Sequence, residues 1–164
     1  MINKTNINKV LNKLPQDKVE LEKVELAIVD DVKKMTDQCE AKIKEMALKY
    51  FELNEFESPD LPGVNNMCAK FLKKLDKARG IAGIPFYITS AYRSEQHNLN
   101  VGGVKDSAHT LIPCKAVDIA CDNSINRQKI ISALAEVGLT RRLGIAKSFI
   151  HTDDSPKTDA IWLY

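Results

Sequence analysis

Lys115–Cys121 reads KAVDIAC, and the fold class turns on this run. Side chains alternate along a strand. Val117, Ile119 and Cys121 therefore share one face, and Ala116, Asp118 and Ala120 the other. A carboxylate between two alanines leaves room for something large on its face. A second run, Ser148–Thr152 (SFIHT), reads as a short strand, and alternation carried through it to Asp153 puts Phe149, His151 and Asp153 together, with Ile150 and Thr152 pointing away. Pro85–Ala91 (PFYITSA), Arg142–Ala146 and Ala160–Tyr164 (AIWLY) also have strand composition. Between them lie two helical patterns. One runs from about Asn65 to Ala78, with Phe71, Leu72 and Leu75 on its apolar face and Gly80 as its stop. The other runs from about Ile125 to Val137, capped by Asn123 or Ser124 and ended by Gly138. Short strands mixed with helices, without regular crossovers, indicate an α+β fold with a largely antiparallel sheet and flanking helices.

Upstream, Gln16 to about Phe51 reads as one long helix. Leu21, Ile28 and Met35 repeat every seven positions, as do Val32, Cys39 and Met46. About 36 helical residues would span ~54 Å. Such a helix either folds back on the domain or serves as a coiled-coil arm for self-association. Asn54–Val64 (NEFESPDLPGV), with two prolines and a glycine, is the linker candidate. The expected organisation is an N-terminal helical arm over residues 1–53 and a folded domain over 54–164.

Composition narrows the function classes. Hydrophobic residues make up 44% and charged residues 28%, as in ordinary globular chains. A net charge of +2 gives no basic footprint for nucleic acid. No run approaches the ~18 apolar residues of a membrane span. Met1–Leu14 has no apolar core of signal-peptide length, so the reading is a product made in the cytoplasm without a leader. Cys39, Cys68, Cys114 and Cys121 form no C-x-x-C pair, which argues against a thiolate zinc knuckle. Buried thiols are the simplest reading; a Cys114–Cys121 disulfide is the alternative.

The three histidines are His97, His109 and His151. His109 lies in SAHT, shortly before the first strand, and His151 lies in the second. With Asp118 they make two imidazoles and a carboxylate. Zinc takes such ligands tetrahedrally and keeps one place for water, which becomes a usable nucleophile near neutral pH. On spacing alone, a structural histidine and a turn aspartate fit equally well.

The run ITSAYRSEQHNLNVGGVKDSAHT, then KAVDIA, then GIAKSFIHTD and IWLY, resembles the zinc D-alanyl-D-alanine carboxypeptidases and related peptidoglycan endopeptidases, which share a fold with the zinc domain of hedgehog proteins. The likeness covers about Phe51 to Tyr164. It rests on a Y-R element, S-x-H, A-x-D and H-x-D in that order. Compact chains of this type are common in bacteriophages. The resemblance implies a Zn2+ cofactor held by His109, Asp118 and His151. It implies a peptidoglycan stem-peptide substrate and action at the bacterial cell wall, in phage lysis or entry. It assigns Arg93 to a substrate carboxylate or developing oxyanion, and Ser107 to support of the site. Tyr92 could contact the ligand or simply pack. In two places the chain departs from the family pattern. The step from His109 to Asp118 is nine positions, two longer than usual. Ser148 stands where many members carry an acidic general base, which leaves Asp153 as the proton shuttle or as a residue orienting a ligand. The alternative function is a catalytically inactive zinc module with a structural or wall-binding role.

Overall fold

The computed structural model describes residues 24–37 and 47–164 and divides the chain into two compact units, Met1–Ala47 and Leu48–Tyr164. In the first unit, residues 24–37 are α-helical (α1), with Ile28, Val32 and Met35 exposed. The rest of the expected arm up to residue 46 lies outside the described residues. Residues 47–52 are not helical, so the helix expected to reach Phe51 does not do so. The backbone N–H groups of Lys49 and Tyr50 donate to the Asp76 carboxylate instead of to a preceding turn.

The second unit is built from α2 (Ala69–Ala82), β1 (Ile88–Ser90), α3 (Glu95–Asn100), β2 (Ala116–Ala120), α4 (Ser124–Glu136), β3 (Arg142–Ile145), β4 (Phe149–Asp153) and β5 (Ala160–Leu163). The strands form one sheet in the order β1-β2-β4-β3-β5. Every pairing is antiparallel except β3 with β5. This is the expected α+β architecture.

The core collects the apolar sides of α2 (Phe71, Leu72, Leu75, Ala78) and α4 (Ile130, Ala133, Leu134) with Val117, Ile119, Leu143 and Ile150 of the sheet. Leu75, Leu134, Ile119 and Ile150 are fully buried. Asn54–Val64, expected as a linker, belongs to this unit: Phe56 and Ser58 are fully buried, and the Phe56 ring meets Phe51 edge-on at 5.2 Å. The prolines bend a segment that its aromatic anchor then holds down.

Gly80 does not stop α2. The helix runs on to Ala82 and ends at Gly83, whose φ of 63° is the left-handed conformation that glycine adopts without steric cost. Gly80 instead makes room for the Tyr50 ring; a Cβ there would lie 2.9 Å from it. At the start of α4, the Asn123 side chain accepts from the Asn126 N–H, as an N-cap does. Cys68, Cys114 and Cys121 are free thiols, so the alternative Cys114–Cys121 disulfide is absent.

Candidate metal centre

Strand register assembles the site. On the sheet face opposite Val117 and Ile119, one row crosses all five strands: Ser90 pairs with Asp118, Asp118 with His151, His151 with Gly144, and Gly144 with Trp162. A second row sets Ala116, Asp153, Arg142 and Ala160 side by side. The carboxylate of β2 and the imidazole of β4 are thus direct cross-strand neighbours, where side chains meet most closely.

His109 reaches this row from a 3-10 turn at Ala108–Thr110, above the sheet. The Ser107 side chain caps that turn by accepting from the His109 N–H. The two additional residues before Asp118 are taken up by a loop that is itself anchored. Cys114 donates its N–H to Asn66 and accepts from that of Cys68, both at 2.8 Å. The longer step therefore does not keep the three side chains apart. Burial pushes the Cys114 thiol up to about 12, so it stays protonated and inert beneath the site.

The donor atoms converge. His109 Nε2 lies 3.2 Å from His151 Nδ1 and 3.4 Å from Asp118 Oδ1, and His151 Nδ1 lies 2.8 Å from the same oxygen. All three residues are buried, and together they form a group able to hold a metal ion. Their outer partners fix which nitrogen carries the proton. His109 Nδ1 sits 2.6 Å from the Ala91 carbonyl oxygen. That oxygen can only accept, so the proton is on Nδ1 and the Nε2 lone pair faces inward. His151 Nε2 sits 2.9 Å from the Asp153 carboxylate, which would leave Nδ1 as the inward lone pair once a metal replaces the proton that Asp118, 2.8 Å from Nδ1, draws there in its absence. Two imidazole lone pairs and a carboxylate oxygen aimed at one point repel one another unless a cation, whether a metal ion or a proton, lies between them. The donor set suits zinc, which binds nitrogen and oxygen in this combination.

The ionisation states follow from the same contacts. In the metal-free chain, where the inward imidazole nitrogens can carry protons in place of a metal, burial disfavours charge on Asp118, but hydrogen bonds and charge from His109 and His151 outweigh it and hold the carboxyl below its ordinary range. Burial would depress His151, yet the carboxylates of Asp118 and Asp153 raise it. Asp153, also disfavoured by burial, is held ionised by His151 and Ser155.

Arg93 and Asp153 are less free than their sequence positions suggested. Arg93 donates from Nε to Ser90 Oγ at 2.7 Å and from Nη2 to Asp118 Oδ2 at 3.1 Å. It therefore grips the carboxylate oxygen that faces away from the histidines. Asp153 is only 1% exposed. Its oxygens accept from His151 Nε2, from Arg142 Nε at 3.1 Å and from the Ser155 N–H. It meets the imidazole on the side opposite the converging lone pairs.

These groups line a cleft of about 330 Å³. Arg93, Ser107, His109, Asp118, His151 and Asp153 are all part of its wall. Tyr92 is not. Its ring is buried in a small cluster with Ala108, Cys114 and Ala116. The wall also holds Arg142, Phe149, Lys157, Trp162 and Tyr164, to which the sequence assigned no role in a site. Arg142 and Phe149 were within reach of alternation, since they share parity with Gly144 and His151. Lys157 sits in a loop, where no periodicity points to it.

A family model described as Peptidase M15 matches residues 46–153. The chain belongs to the peptidase M15 family. The matched stretch contains all three converging side chains, Arg93 and Asp153 beside them, and most of the cleft wall. No curated protein matches the chain. No helix among the described residues is long and apolar enough to cross a membrane.

Proposed function

We propose that this chain is a zinc peptidase that hydrolyses peptide bonds in peptidoglycan stem peptides at the bacterial cell wall, in a phage lysis or entry setting. The observation that carries the reading is the convergence of His109 Nε2, His151 Nδ1 and Asp118 Oδ1, each with its outward atom fixed by a partner. These three residues would hold the metal. Bound zinc supplies Lewis-acid polarisation of a peptide carbonyl and a nucleophile from water near neutral pH. Arg93 keeps Asp118 oriented, and its remaining N–H groups stand at the cleft wall, where they stabilise negative charge developing on the substrate carbonyl oxygen. Ser107 positions His109 through its backbone. Asp153 orients His151 and retains the Nε2 proton. In this reading it is a positioning residue, and the proton-shuttle role considered from strand alternation does not belong to it.

One observation favours a second reading, a zinc module without turnover. Among the described residues, Asp118 and Asp153 are the carboxylates of the cleft wall, and both are engaged in the supporting network. Self-association of α1 through Ile28, Val32 and Met35 fits either reading.

Metal analysis combined with digestion separates them. The purified chain is expected to contain about one zinc, from the single open site. It should release stem-peptide fragments from purified peptidoglycan, identified by mass spectrometry, and lose that activity to a chelator. Bound zinc without peptide release at any pH would establish the second reading. A chain that takes up no zinc would remove both.

A further inference from the structure

The cleft has a polarity set by strand register. At one end β4 and β5 place Phe149 and Tyr164 together, ring centroids 5.0 Å apart. The histidine row lies in the middle. At the other end lie Asp153, Arg142 and the loop joining β4 to β5, which carries Lys157 into the wall. One end is therefore aromatic and the other cationic.

The three cations of the wall are not equivalent. Arg93 is met by Asp118 and Arg142 by Asp153, each at 3.1 Å. Lys157 is held only by the backbone carbonyl of Asp106, and among the described residues no carboxylate lies within ion-pair distance of it. A carbonyl accepts a hydrogen bond but does not neutralise the ammonium. Both arginines already spend donors on structural carboxylates, so drawing either toward a ligand would loosen the metal-competent group. Moving Lys157 breaks one contact between two loops and disturbs no member of that group.

We propose that Lys157 is the substrate anchor of this cleft. It takes a free carboxylate on the residue lying toward the Asp153 end, and so fixes the direction in which an extended peptide crosses the metal-competent row. The small or apolar residue on the other side of the cut then lies against Phe149 and Tyr164. The contact to Asp106 holds the ammonium until the carboxylate replaces it. This inference rests on the peptidase reading above and adds to it the charge of the substrate and its orientation.

The test uses the full-length, zinc-loaded protein and two synthetic pentapeptides, L-Ala-D-isoglutamate-L-Lys-D-Ala-D-Ala with all carboxylates free and the same peptide with all of them amidated. Wild type is expected to favour the free acid by about tenfold in kcat/KM, the scale of one charge-assisted hydrogen bond. Lys157→Met should bring that ratio close to one through a rise in KM for the free acid, with zinc content unchanged. Lys157→Arg should restore most of the preference. A Lys157→Met variant that keeps the full preference overturns the anchor. If wild type cleaves neither peptide, the peptidase reading is what fails. Calorimetric binding of the two peptides then decides the anchor, and equal affinity of wild type and Lys157→Met for the free acid overturns it.

Discussion

Asp153 sets the state of His151 without touching the point where the lone pairs meet. Its Oδ2 takes the Nε2 proton, Arg142 supplies the counter-charge, and Ser155 closes the remaining oxygen. Partners of this kind raise the basicity of a metal-binding imidazole and hold its ring plane. Asp153→Asn keeps the shape but weakens the acceptor and leaves Arg142 without its charge partner. Zinc affinity is expected to fall about 10- to 100-fold, measured by competition with a chromophoric chelator. Circular dichroism would confirm that the variant is folded. A variant with unchanged zinc affinity but no turnover would return Asp153 to the acid/base role. The sequence pointed to Asp153 but could not choose between the two roles. The choice depends on which ring nitrogen the carboxylate meets, and that is a matter of side-chain torsion and of a partner, Arg142, on another strand. Tyr92 shows the same limit: the Y-R pair is plain in the sequence, yet the two side chains leave the backbone in different directions.

Register, at the scale of the element, explains why two strands suffice to specify most of the site. Alternation in KAVDIAC and SFIHTD placed Asp118 and His151 on common faces, and antiparallel pairing brought them opposite one another. Loops carried less information. The extra residues between His109 and Asp118 are absorbed by backbone bonds to Asn66 and Cys68, far away in sequence. Gly80 looked like a helix stop because its contact with Tyr50 is tertiary, and Gly83 is distinguished only by its left-handed backbone. Gly144 is a further case. It stands between His151 and Trp162 in the site row, and an added Cβ would lie 2.6 Å from the Tyr164 ring and 2.7 Å from that of Trp162. Bare backbone here lets the two rings lie over β3 and form the cleft wall. Gly144→Ala should push both rings outward, at the ~1–3 kcal/mol typical of overpacking. Trp162 is the only tryptophan, so its emission reports the move directly. A red-shifted spectrum and reduced turnover are expected. Identical emission and kinetics would show that the rings do not depend on this glycine.

For the whole molecule, the buried triad ties the proposed metal to the folded state. Three electron-rich atoms within 3.4 Å of one another, in side chains almost closed to water, are held together by the sheet, the capped turn and the Arg93 and Asp153 contacts. In the unfolded chain these ligands disperse and the binding site ceases to exist. On the proposed reading, zinc would therefore bind the native state in preference, and its binding free energy would add to the stability of the Leu48–Tyr164 unit. With free zinc about 100-fold above the dissociation constant the gain is ~2.7 kcal/mol. For a unit of this size that corresponds to a rise in Tm on the order of 10 °C. Differential scanning calorimetry of the zinc-loaded protein, with and without a chelator, should show this difference. His151→Ala should melt at one temperature in both conditions, because it lacks one imidazole and leaves the other two ligands too few to retain the ion. The comparison separates a metal that is part of the fold from one that visits the surface. A wild-type Tm that does not respond to chelation would place zinc outside the buried row, and with it the reading of His109, Asp118 and His151 as ligands.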